Sequence, residues 1–294
     1  MKQSSESLNN QPTDSGNSSI KLRQSFFIVF TYVILILMAI IMVLPFIWML
    51  SGSLKDAATI FQDSKNLIPE NPKWENFRKV WTSVPFGLFY WNTTKVAVLT
   101  TLGTILTSAL AAYAFAKLEF PGRNMLFFLY IGTMMIPDQV MMIPQFTLMR
   151  DLNLLNTHTA LILIKLFHPF GVFLLRQFFL TIPNELSDSA RIDGCSEFRI
   201  FWNIILPLSK AAIGTLVIFT LLNSWNDFIN PLIYLSEQSR FTLQIGIRYF
   251  QQLYGADFHL ILAATTLSLI PIVLAYLFLQ RYFIEGITTT GLKG

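Results

Sequence analysis

PNELSDSARIDGCSEFRIFWNIILP, residues 183–207, is a polar segment between long apolar stretches, in a chain otherwise nearly devoid of charge clusters. Pro183 and Asn184 give a helix start signal, and the acids Glu185 and Asp188 favour the positive end of a helix dipole. Gly194 lets the chain turn, and a second short helix is expected from Ser196. On it Phe198, Phe201, Ile204 and Ile205 recur at helical spacing, and Pro207 marks re-entry into the next apolar stretch. A membrane protein gains little from a polar helix-turn-helix unless something outside the bilayer pushes against it. The segment therefore reads as a docking handle on the cytoplasmic side.

Outward from this handle the chain is a membrane protein. Apolar residues make up 53% of it and charged ones only 13%, with apolar runs of bilayer-spanning length, a pattern that a soluble domain would not tolerate. Candidate spans are 26–50, 91–116, 125–144, 159–180, 211–235 and 260–283, which predict an all-α integral membrane protein with six transmembrane helices. The run 26–50 exceeds a signal-peptide core, lacks a small-x-small cleavage pattern and follows a polar arm, so it is expected to remain as a span. Three parts follow: a disordered arm 1–25 rich in Ser, Asn and Gln, a membrane domain 26–283 carrying the loop 183–208, and a C-terminal tail 284–294. An even number of spans puts both termini on one side, and the modest lysine and arginine bias places that side in the cytoplasm. Cys195 is the only cysteine, which excludes an internal disulfide.

The chain shows no chemistry of its own. His158, His168 and His259 lack metal-ligand spacing with one another or with Cys195, and no glycine-rich phosphate loop is present. No nucleic-acid partner is expected. Any energy source must come from a partner through a contact that transmits force, and residues 185–192 make a rod of about 12 Å at about 1.5 Å per residue. Leu186, Ala190 and Ile192 are expected to face apolar surfaces, while Glu185, Asp188 and Arg191 pair with polar groups.

Within the spans, Asp138 follows Pro137 in a helix that Pro137 and Pro144 should break, and Trp225, Asn226 and Asp227 precede Pro231. The broken helix at Asp138 suits a water-filled pathway, and since aromatic rings stack on sugars and polar groups bind hydroxyls, Trp225, Asn226 and Asp227 suit a carbohydrate path; all four are pathway candidates, with helix packing and gating as the equal alternative. Lys95 and Lys165 read as snorkelling side chains, and no matched acid–base pair is evident within the spans. In the outside loop 51–90, Trp74, Phe77 and Trp81 share a face if 74–84 is helical.

The pattern Asp188-Ser189-Ala190, three residues, Gly194, then apolar residues to Leu206-Pro207 resembles the cytoplasmic loop of permease subunits of bacterial ATP-binding-cassette importers. Asp188 stands where that family usually has Glu, and Ser189 where it has Ala. Five further stretches agree in family order: SLKDAATIF (53–61), AAYAFAKLEFPG (111–122), FLLRQFF (173–179), SWNDFINPL (224–232) and GITTTGLKG (286–294). The likeness is to the carbohydrate-importing branch, in particular the maltose-type second permease. It implies a six-helix permease that moves a sugar or oligosaccharide into the cytoplasm by ATP-driven alternating access, in a bacterial cytoplasmic membrane. The implied partners are a second homologous permease, two cytoplasmic ATPase subunits that hold ATP and Mg, an extracytoplasmic sugar-binding protein and membrane lipid. The chain itself needs no cofactor and is not an enzyme. By the same resemblance, Glu185, Asp188, Ser189, Ala190, Asp193 and Gly194 couple to the ATPase, and Thr290, Gly291, Lys293 and Gly294 reach between the two ATPase subunits. A related branch imports glycerol phosphate. The rival reading is an ion- or proton-coupled secondary transporter or channel subunit.

Overall fold

The computed structural model describes residues 15–62, 66–253 and 257–291 of the chain. Among these residues there is no strand. α1 (Ser15–Ser53) is apolar on every side, and the 18-residue window that marks it as a span has none of its residues buried, so its surface is made for lipid or another chain. The described part of the helix starts at Ser15 and includes residues 15–25 of the arm expected to be disordered; residues 1–14 lie outside the described part. Once the apolar span has nucleated a helix, extending it costs little per residue.

Two short helices, α2 (Thr59–Gln62) and α3 (Glu75–Ser83), lie in the segment between α1 and the next span. Asn76 and Val80 of α3 are buried while Trp74 and Trp81 stay exposed, and Phe77 packs at the edge of the core. The aromatic face foreseen from spacing is thus only partly free. The Asn76 amide donates 2.9 Å bonds to the carbonyls of both Ser53 and Lys55, tying α3 to the end of α1. Asn76→Ala orphans two buried carbonyls and should cost on the order of 2 kcal/mol. Thermal unfolding of the detergent-solubilised chain is expected to shift down by about 5 °C, whereas exposed Thr82→Ala should leave it in place.

α4 (Phe86–Lys117) is the central span, against which α8, α12 and α14 pack. Its contact with α8 is made close by small residues: a Cβ on Gly171 would lie 2.6 Å from the Ser108 hydroxyl. α5 (Arg123–Gly132) and α6 (Asp138–Asp151) meet at a 100° bend where Pro137 interrupts the chain, while Pro144 is carried inside α6. α7 (His158–Leu163) and α8 (Pro169–Thr181) occupy the expected fourth span but are separated by a break at 164–168. α9 (Glu185–Ile192) and α10 (Glu197–Ile200) form the polar handle. The second leg runs from α10 through a π-helical turn, Phe201–Ile205, into α11 (Leu206–Leu208), and bends 80° into α12 (Lys210–Trp225). Pro207 has no N–H for the helix ladder, which accounts for the irregular turn before it. α13 (Ile229–Tyr234), α14 (Leu243–Leu253) and α15 (Phe258–Gly291) complete the chain.

α1, α4 and α15 are each long and apolar enough to cross a membrane unbroken, and the two bent pairs bring that number to five. The all-α, roughly six-span architecture stands, but its third, fourth and fifth members are broken rather than continuous. α15 runs to Gly291 and so takes in residues 284–291 of the tail as helix; Lys293 and Gly294 lie outside the described residues.

Candidate coupling site

α9 lies across the end of the bundle formed by α4, α8 and the second leg of the handle. Ala190 and Ser187 point inward, and Ala190 joins a core of Ala112, Tyr113, Ala116, Phe179, Ile182, Ile200 and Phe201. Leu186 and Ile192 do not face this core: they are 42% and 87% exposed. Of the three residues expected to face apolar surfaces, the chain's own core supplies one for Ala190, while Leu186 and Ile192 point outward. An eight-residue helix has only one buried stripe, and Ser187 and Ala190 take it. Glu185, Asp188, Ser189, Asp193 and Gly194 are exposed along the remaining surface.

The rod is closed by a specific turn. Gly194 adopts φ +79°, its N–H donates to the Arg191 carbonyl at 3.0 Å, and the Cys195 N–H donates to the Ala190 carbonyl at 2.9 Å. These paired bonds are the Schellman arrangement, which satisfies the last carbonyls of the helix. Cys195 then packs against the core as a small residue, and Ser196 caps the second leg by accepting from the Arg199 N–H at 3.4 Å.

Polar braces hold the rod from both sides. Arg191 donates to Asp188, one turn earlier, at 2.6 Å and to Glu197 at 2.6 Å, and the Tyr113 hydroxyl of α4 donates to the same Glu197 carboxylate at 2.6 Å. Hydrogen bonding to Glu197, ahead of Asp188, holds the Arg191 guanidinium above its ordinary pKa. These side chains are a third or more exposed, so each pair contributes only about 0–1 kcal/mol. Their role is orientation. At the other end, Lys117 donates to the Ile182 carbonyl at 2.6 Å and to the Asn184 side-chain oxygen at 2.8 Å. Asn184 thus serves as an acceptor for Lys117 rather than as the expected side-chain cap of α9.

Tyr113, Lys117 and Glu197 were not singled out from sequence. Tyr113 and Lys117 stand four residues apart on α4, hence on one helix face, and that spacing was the available signal.

The other candidates separate. Trp225 is buried, its indole donating to the Ser268 carbonyl at 3.1 Å and its ring edge-on to Tyr90. Asp138 is exposed at the start of α6, and Asn226 is exposed at the end of α12. Asp227 is paired with Lys165 at 2.5 Å. The expectations that no matched acid–base pair lies within the spans, and that Lys165 merely snorkels, are both corrected: helix breaks on two different spans bring these residues together. Thr290 and Gly291 lie in the last turn of α15. Among the described residues no group of three His, Cys, Asp or Glu could hold a metal ion.

The family described as binding-protein-dependent transport system inner membrane component matches residues 103–289. The chain is 38% identical over 261 residues to the arabinooligosaccharides transport system permease protein AraQ of Halalkalibacterium halodurans, covering 87% of this chain and 93% of that one. It is 36% identical over 268 residues to the sn-glycerol-3-phosphate transport system permease protein UgpE of Yersinia pestis, covering 88% and 95%. Its fold is similar to a chain in the crystal structure of a bacterial ABC transporter involved in the import of the acidic polysaccharide alginate, with a TM-score of 0.78 at 24% identity over 89% of this chain and 98% of that one. A second structure, of the alginate ABC transporter in complex with an alginate pentasaccharide-bound periplasmic protein, aligns with a TM-score of 0.59 at 14% identity, over 89% and 95%.

Proposed function

Because the chain belongs to the binding-protein-dependent transport system inner membrane component family, we propose that it is the maltose-type second permease of a sugar importer driven by ATP through α9. It is a multi-pass membrane protein and not an enzyme. The observation that carries the mechanism is the asymmetry of the rod: Ala190 and the Tyr113–Glu197–Arg191 braces fix one face to the bundle, while Leu186 and Ile192 present apolar groups outward. Exposed apolar residues on a braced, rigid helix suit insertion into a cleft on a partner. Both termini and α9 lie in the cytoplasm in this reading, where a pair of ATPase subunits holds ATP and Mg, and a second permease completes the pathway. An extracytoplasmic binding protein delivers substrate in this reading, which the complex of the alginate transporter with an alginate pentasaccharide-bound periplasmic protein supports.

ATPase closure moves α9, and the braces pass that displacement to α4 and to the leg that leads into α12. Substrate is a sugar or an oligosaccharide. The permeases named above belong to arabinooligosaccharide and sn-glycerol-3-phosphate systems, and they define the panel to test. Family membership sets aside the secondary transporter, even with an acid–base pair now present.

Expression of the tagged chain with its neighbouring permease and ATPase should yield a co-eluting complex. In proteoliposomes supplied with binding protein, that complex should take up a member of the panel only when ATP is present on the α9 side. Full uptake by the isolated chain, or elution without any ATPase, would overturn the assignment.

A further inference from the structure

Two of the spans break side by side. The break at 164–168 divides α7 from α8, and the break at 226–228 divides α12 from α13. Beyond the breaks the outer limbs share one core, in which Ala160 and Leu161 of α7 meet Tyr234 of α13 and the adjoining Leu235. The Asn156 N–H adds a 2.8 Å bond to the Tyr234 carbonyl. On the near side, Leu175 of α8 and Leu216 of α12 belong to the separate core that carries α9. The seam between the two cores is where backbone groups leave the helix ladders, and it is spanned by the Lys165–Asp227 pair at 2.5 Å.

Both partners are held in place by their own surroundings. Asp227 accepts from the Asn230 N–H at 3.2 Å and from the Asn230 amide at 2.9 Å, which fixes it to the first turn of α13. The Lys165 carbonyl accepts from the Thr104 hydroxyl at 3.0 Å, which fixes its backbone to α4. With side chains 18% and 11% exposed, neither charge has water enough to stand alone. Separating the breaks would strand both charges, so a bend at one break is transmitted to the other.

We propose that Lys165 and Asp227 act as a pin that makes the breaks in the two spans bend as a single hinge between the outer core and the α9-bearing core. The pair is a positioning element; neither residue is assigned to substrate. In the importer reading, this hinge is where opening toward one side is tied to closing toward the other.

The test uses spin labels on Phe167→Cys and Ile229→Cys, both exposed positions beside the two breaks, in a Cys195→Ser background of the full chain in nanodiscs. Pulsed dipolar spectroscopy should give one narrow distance distribution. Lys165→Met should at least double its width, and Lys165→Arg should keep it narrow. Asp227→Asn retains an oxygen for the Asn230 N–H and should broaden the distribution as Lys165→Met does, and it carries the test if Lys165→Met fails to insert. The neutral double variant should be as broad as either single one. A distribution that stays narrow in the single variants overturns the pin, and so does a double variant restored to wild-type width, because the pair would then only balance charge. Label distances need no uptake, so a failure of the importer reading leaves this result intact.

Discussion

Gly194→Val is expected to lower uptake by tenfold or more in the reconstituted transporter while the chain still inserts and the partner ATPase still turns over. Gly194 sits at φ +79°, and a Cβ built there would meet nothing within 4 Å. Space is therefore not the constraint; the backbone torsion is. The left-handed conformation costs an ordinary L residue about 1–2 kcal/mol, and β-branched residues are still more strongly excluded from it. About 1.4 kcal/mol already changes a population tenfold. Opening this turn releases the Gly194 and Cys195 N–H bonds to the Arg191 and Ala190 carbonyls, and with them the angle between α9 and the leg that begins at Ser196. A torsional cause orders the variants: Asn, which tolerates the left-handed region, should come nearest to wild type, then Ala, then Val. A steric cause would place Asn below Ala. Uptake and ATP hydrolysis measured side by side check this order, and a Val variant that imports at the wild-type rate would remove the rod from the mechanism.

Much of the coupling handle was legible because its signals are local. Gly194 after a polar helix, Ser196 before a second one and Pro207 before the next span each act through the backbone within a few residues, and the structure uses all three. The stripe on α9 was half legible for the same reason. Spacing grouped Leu186, Ala190 and Ile192 as apolar, but which of them the bundle covers depends on where α4 and α8 pass, and that is long-range information. Lys165 and Asp227 lie far apart in sequence, inside the two runs 159–180 and 211–235, so no periodicity could join them. A residue before proline signals a break, as at Ile136 before Pro137, yet Pro45, Pro144 and Pro271 all sit inside helices. Neighbouring helices can supply the partners that a proline removes, and the sequence of one span carries no record of its neighbours.

The same asymmetry sets the effect of Ile192→Asp, which should weaken ATPase association about a hundredfold while leaving the chain itself unperturbed. Ile192 is 87% exposed, so its replacement belongs with surface substitutions, worth about 0.5 kcal/mol or less to folding. Seated in a cleft on a partner, the same side chain contributes about 1.5–3 kcal/mol of apolar burial, and an unpaired carboxylate in its place adds a desolvation cost. The sum corresponds to an affinity loss on the order of a hundredfold. Leu186→Asp, at a position already 42% exposed on the folded chain, should fall short of that because less of its surface remains to be covered. Ile192→Leu conserves the apolar volume and should bind as wild type does. Titration of the purified ATPase against each variant in nanodiscs gives the affinities, with thermal unfolding of the chain alone as the control. Wild-type affinity in the Ile192→Asp variant would mean that the exposed face of α9 is not where the motor docks. An equal loss in thermal stability would mean that Ile192 supports the bundle after all, and the two effects of the rod, bracing inward and docking outward, could not be assigned to separate faces.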